Sequence, residues 1–175
     1  MGEHDEADEA DEHDEHDEHD EAAGAALSVA LVRLDADLPL PAYARPGDAG
    51  LDLVARVDVV LPACGGRVLV PTGVAVAIPD GHAGFIVPRS GSAARQGLSI
   101  VNSPGLIDSG YRGELIVALL NTDPHDDIHI ARGDRIAQLV ILAVPFVRLV
   151  EVAMLSDSPG GTSSRGTGGY GHTGR

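Results

Sequence analysis

Lysine and tryptophan are absent from the 175 residues, and cysteine occurs once, at position 64. Without lysine there is no Schiff-base amine and no lysine phosphate clamp, so any bound anion must be met by the 12 arginines. A lone cysteine excludes an intrachain disulfide and a multi-cysteine zinc site. Cys64 is followed by Gly65 and Gly66, with no cation beside it to activate a thiol, and reads as a turn residue. Long apolar runs are also missing. The longest, residues 139–147, is nine residues and contains Pro145, far short of the ~20 that span a bilayer. The N-terminal stretch is acidic, which fits neither a secretory nor a transit signal. The expectation is therefore no membrane association and a cytoplasmic location.

A basic face is missing too. Residues 1–21 hold 13 of the 27 acidic residues and no basic one, which leaves 14 acids against 12 arginines over residues 22–175. The formal charge of −15 thus describes mainly a tail, and no nucleic-acid footprint is left in either part. In the tail, Asp-Glu-His repeats place His13, His16 and His19 three residues apart. Such a segment has no apolar face to bury and repels itself, so residues 1–26 are expected to be a disordered tail dispensable for activity. Weak chelation of a divalent metal by its histidines and carboxylates is the functional alternative, and no partner for the tail can be named.

What is present is β texture. Short β-branched runs at residues 28–34, 51–60, 68–70, 74–78, 84–87, 115–120, 128–130, 135–142 and 146–152 are separated by Gly, Pro, Asp and Asn. Spacing of this kind predicts an all-β sandwich or barrel. One helical turn is expected at residues 92–96. Residues 27–155 form the expected β domain. Residues 156–175 are dominated by Ser, Gly and Thr, with seven glycines, and cannot build a core. They are expected to be a mobile arm that a ligand or neighbouring subunit would order.

Aromatics are scarce, yet Tyr111 and Tyr170 both lie in glycine-rich polar stretches. They serve either a flat ligand or loop stapling, and composition alone does not separate the two. Three segments carry phosphate-binding chemistry. Pro88-Arg-Ser-Gly-Ser92 combines a guanidinium, two hydroxyls and flexible backbone. Residues 165–174 hold glycines that let backbone amides approach an oxyanion. Arg132-Gly-Asp-Arg-Ile-Ala-Gln138 is less specific. Between the apolar runs 98–101 and 115–120 lies Asn102-Ser-Pro-Gly-Leu-Ile-Asp-Ser-Gly-Tyr-Arg-Gly-Glu114. This reads as a β-hairpin loop that presents an amide for a base edge, a ring for a sugar face and a carboxylate for water activation. An Asx-type turn, with Asp108 bonded only to backbone, is the competing reading.

Taken together, five motifs in order give a chain that resembles the trimeric dUTP pyrophosphatases (dUTPases) over about residues 27–174. They are Asp48-Ala-Gly-Leu-Asp-Leu53, Pro88-Arg-Ser-Gly-Ser-Ala-Ala-Arg-Gln-Gly97, Gly105-Leu-Ile-Asp-Ser-Gly-Tyr-Arg-Gly-Glu114, Arg132-Gly-Asp-Arg-Ile-Ala-Gln-Leu139 and residues 165–174. The resemblance implies an antiparallel jelly roll, a homotrimer with each site built from all three chains, and hydrolysis of dUTP to dUMP and pyrophosphate. It implies that Asp108 activates water for in-line attack on the α-phosphorus. Tyr111 would pack on deoxyribose, and Asn102, with Ile107 and backbone of the same hairpin, would read uracil. Cytosine would leave buried groups there unpaired, a mismatch that can cost a factor of ~10⁴. Arg89, Ser90, Gly91 and Gln138 would hold phosphates. Arg165, Gly171, His172 and Thr173 would close over the β- and γ-phosphates, and Tyr170 would stack on uracil. Mg²⁺ would ride on the triphosphate and water with little direct protein ligation. Asp52 would either contact it through water or support the site.

The departures from the family pattern are small: Tyr170 for a common Phe, His172 for a common Ser, Arg95 for a common Lys. Two other readings remain at this point. One is dCTP deamination on the same fold, against which the Gly-Tyr-Arg-Gly setting of Tyr111 and the intact fifth motif argue. The other is a non-catalytic nucleotide-binding regulatory module.

Overall fold

The computed structural model describes residues 26–154. Ten strands and one short helix follow one another as β1 (Ala30–Arg33), β2 (Leu51–Val54), β3 (Val59–Leu61), β4 (Arg67–Ala77), β5 (His82–Val87), α1 (Ser90–Gln96), β6 (Leu98–Ile100), β7 (Gly105–Ile107), β8 (Glu114–Asn121), β9 (Ile128–Ile130) and β10 (Arg135–Ala143). Two four-stranded sheets, ordered β1-β4-β8-β6 and β2-β10-β5-β7, are joined by a two-stranded β3-β9 ribbon. Every pairing is antiparallel. Sequence-distant strands lie side by side, β2 against β10 and β4 against β8, as in a jelly roll. The all-β expectation is met.

Alternation builds the core. In β8, Leu115, Val117 and Leu119 are buried; they meet Val70, Val74 and Val76 of β4 and Leu53, Ile136 and Leu139 of the second sheet. Each such aliphatic contributes roughly 1.5–3 kcal/mol by leaving water. Asn121 ends the inward row of β8. Its buried amide donates to the Leu61 and Asp126 carbonyls and accepts the Asp123 N–H, so no buried polar atom is wasted.

Several expected elements are redrawn. The runs 68–70 and 74–78 form one strand, because Pro71-Thr72-Gly73 is a bulge in it. The register slips between Pro71 and Ala75, Gly73 takes φ +76°, and the Gly73 N–H donates to Glu114 Oε1 at 2.7 Å. Run 51–60 divides into β2 and β3, since the Arg56 N–H turns from β10 to the Pro71 carbonyl of β4. The helix starts two residues earlier than expected and stops at Gly97, whose φ of +66° closes it with an N–H bond to the Ala93 carbonyl. The run 146–152 is no strand. It has no strand partner among the described residues, and Phe146 is 100% exposed. Among the described residues no helix is long and apolar enough to cross a membrane.

Candidate active site

The segment 102–114 is held between both sheets. Its flanks, β6 and β8, pair as a hairpin with Leu98 opposite Asn121 and Ile100 opposite Leu119. Inside the loop, β7 crosses to the other sheet and pairs with β5, Gly105 opposite Ile86 and Ile107 opposite Gly84. A loop tied at three places presents its side chains from fixed backbone. Asn102 folds back against Gly105, where an added Cβ would lie 3.4 Å from its Nδ2. Asp108 is the first residue after β7 and is exposed. Its carbonyl accepts the Tyr111 N–H at 3.0 Å, closing a turn. No hydrogen bond among the described residues engages its carboxylate, so the turn is made by backbone and not by an Asx side chain.

Tyr111 is 41% exposed. Its hydroxyl donates to the Glu114 carbonyl at 2.8 Å, which leaves the ring face as what the residue offers a ligand. The ring folds over Gly113, where any Cβ would sit 2.5 Å from the hydroxyl oxygen and push the ring aside. Arg112 tightens the turn by donating to the carbonyls of Ser109 and Tyr111.

The phosphate-side residues gather elsewhere, around Asp52 on β2. Asp52 is 9% exposed, and both its oxygens are engaged. Oδ1 accepts from Arg89 Nε at 3.0 Å and Gln138 Nε2 at 3.2 Å; Oδ2 accepts from an Arg135 terminal nitrogen at 3.0 Å. Gln138 on the inner strand β10 is the direct cross-strand partner of Asp52 on one side and Val87 on the other. Arg89 is the N-cap of α1, with Ser90 and Gly91 in its first turn. Arg89, Ser92, Gln96, His129 and Arg135 line a cavity of about 270 Å³. Two guanidiniums with a hydroxyl and an amide suit an anion rather than a metal. Among the described residues, no three His, Cys, Asp or Glu side chains converge on a metal position.

The two clusters lie apart. Ile107 sits opposite Gly84, while Gln138 sits opposite Val87, three residues and roughly 10 Å along β5. Asp108 and Arg89 continue from those points in opposite directions. One chain therefore brings Asn102, Ile107, Asp108 and Tyr111 together, and separately Asp52, Arg89, Ser90, Gly91 and Gln138. Arg165, Tyr170, Gly171, His172 and Thr173 lie outside the described residues. Arg135 was given no role from sequence. Being three residues from Gln138, it belongs on the opposite face of a regular strand.

A titration shift is resolved away from both clusters. Backbone N–H groups of Asp126 and His125 donate to the Asp123 carboxylate and hold it below the usual carboxylate range.

The dUTPase family profile matches residues 36–174. A deoxyuridine 5'-triphosphate nucleotidohydrolase of Thermobifida fusca is 60% identical over 146 residues, covering 83% of this chain and 78% of that protein. One of the same description from Mycobacterium marinum is 58% identical, covering 84% and 95%. Among solved structures, the dUTPase of Staphylococcus bacteriophage 80alpha with dUpNHpp matches with a TM-score of 0.77 at 27% identity, over 86% of this chain and 100% of that one. A dUTPase from phage phi11 of S. aureus, in which a structural Mg(II) ion is coordinated, matches with a TM-score of 0.68 at 26% identity, over 74% and 99%.

Proposed function

We propose a residue assignment from one premise: the chain belongs to the dUTPase family and is an enzyme that hydrolyses dUTP. Asp108 is the base. Its carboxylate is exposed and uncommitted, as required of a group that must accept a proton from water attacking the α-phosphorus in line, with pyrophosphate leaving. Tyr111, tethered by its hydroxyl, offers a fixed ring to the deoxyribose, and a 2′-hydroxyl would collide with it. Asn102 and the backbone at Ile107 read uracil. An amide that donates and accepts suits the uracil edge, and cytosine would leave a donor facing a donor.

Arg89, Ser90, Gly91 and Gln138 grip the phosphates. Arg165, Gly171, His172 and Thr173 close over the β- and γ-phosphates, and Tyr170 stacks on the base. Mg²⁺ is the proposed cofactor, carried by the triphosphate, where it would offset charge on the phosphate oxygens. Asp52, engaged by two arginines and a glutamine, supports the site.

The observation that carries the assembly is the separation of the two clusters along β5. A base and a phosphate grip serving one phosphorus have to come from different chains. A homotrimer with shared sites meets that need. Exposed Phe146, Leu149 and Val150, 100%, 92% and 70% open to solvent, supply apolar surface for it. A cytoplasmic location is part of the same proposal. Pyrophosphate release, assayed separately from dUTP, dCTP, dTTP and UTP with Mg²⁺, tests the assignment. Release from dUTP alone is expected, whereas ammonia release from dCTP would overturn it.

A further inference from the structure

Residues three apart on a regular strand face opposite sides of the sheet. Arg135 and Gln138 nevertheless meet the same carboxylate, because β10 is bulged between them. Arg135 is opposite Val54 and Ala137 is opposite Leu53, so two steps on β10 match one step on β2. The extra residue, Ile136, is buried in the core and shifts Arg135 onto the face of Asp52. Bulges of this kind re-aim a side chain beside a functional site.

The consequence concerns Arg89. A guanidinium has one Nε–H and two terminal NH₂ groups. Asp52 takes the Nε–H of Arg89 with Oδ1, which leaves the terminal groups of Arg89 for another anion. Oδ1 also takes an amide hydrogen of Gln138. Both donors meet the same oxygen, and the opposite oxygen, Oδ2, is fixed by Arg135 alone among the described residues. Removing Arg135 leaves the carboxylate free to rotate and to take Arg89 by its terminal nitrogens. We propose that Arg135, delivered by the bulge at Ile136, is a positioning residue for phosphate binding: it locks Asp52 so that Arg89 and Gln138 present their remaining donors to the nucleotide. This rests on the reading of Arg89 as a phosphate ligand.

The test compares Arg135→Ala, Arg135→Lys, Arg89→Ala and the Arg89→Ala/Arg135→Ala double variant, all as full chains, by their affinities for deoxyuridine and dUpNHpp. Arg135→Ala is expected to weaken dUpNHpp roughly tenfold, the equivalent of one charge-assisted bond, and to leave deoxyuridine unchanged. Arg135→Lys, which keeps a charged donor toward Oδ2, should recover most of the loss and guards against a variant that fails to fold. In the Arg89→Ala background the Arg135→Ala loss should shrink to the part carried through Gln138. Unchanged dUpNHpp binding in Arg135→Ala overturns the inference, and so does an equal loss for deoxyuridine, which marks general damage. Additive losses in the double variant also overturn it, by making Arg135 a phosphate ligand itself. Wild-type dUpNHpp binding in Arg89→Ala would instead remove the reading beneath.

Discussion

The two halves of the site are built by opposite means. Around Asp52, three donors from β10 and the start of α1 converge on one carboxylate at 9% exposure, so the proposed phosphate grip is assembled within a single chain. The segment from Asn102 to Glu114 is held by the β7–β5 pairing, backbone turns and one tyrosine tether, and it exposes an Asn102 amide and an Asp108 carboxylate without hydrogen bonds among the described residues. The buried half is fixed by fold energetics. The exposed half is fixed only in its backbone and becomes a pocket when something covers it. The groups proposed to orient phosphate are thus tied to stability, and the proposed base is not.

The sharpest way to break this contrast is at Asp108. Asp108→Ala should cut pyrophosphate release by about 10³-fold, within the range for removal of a general base, while dUpNHpp binding and Tm stay as in the parent. A fall in Tm would place Asp108 with the structural half. Asp52→Ala should do both kinds of damage. Two guanidiniums lose their anion, and the loss is expected at roughly 2 kcal/mol, less than for a fully buried pair because Arg135 is half open to water. Denaturant unfolding and dUpNHpp titration on the same sample check it. Gly113→Ala forces the Tyr111 ring from its seat. It should narrow the preference for dUTP over UTP several-fold, measured as a ratio of kcat/KM, with little change in stability. The smallest effect is at Asp123. Its carboxyl is held below the usual range by two backbone N–H groups, so its contribution is present at neutral pH and fades as pH falls through the lowered value. Asp123→Asn should flatten the acid limb of a stability–pH curve and leave turnover at neutral pH untouched.

Much of this was legible in the sequence. Strand runs at 84–87, 115–120, 128–130 and 135–142 are strands in the fold, because β-branched alternation against a core is a local property. Segment 102–114 was legible as a loop, and its motif marked Asp108 and Tyr111. Long-range facts were not. Pro71-Thr72-Gly73 has turn composition, but Glu114 turns it into a bulge from across the sheet. Run 146–152 has strand composition and finds no ladder among the described residues. That Arg135 faces Asp52 depends on a bulge defined by a partner strand 83 residues away. The absence of an Asx bond at Asp108 is also a property of the folded loop.

The central claim is that Asp108 and Arg89 act on one nucleotide from different chains. Its most direct test mixes two impaired proteins, Asp108→Ala and Arg89→Ala/Gln138→Ala, unfolds and refolds them together, and measures pyrophosphate release from dUTP. Shared sites predict recovery in the mixture, with roughly a quarter of sites intact on random closed assembly. Activity no greater than the average of the two parents, with mixed assemblies formed, would contradict it.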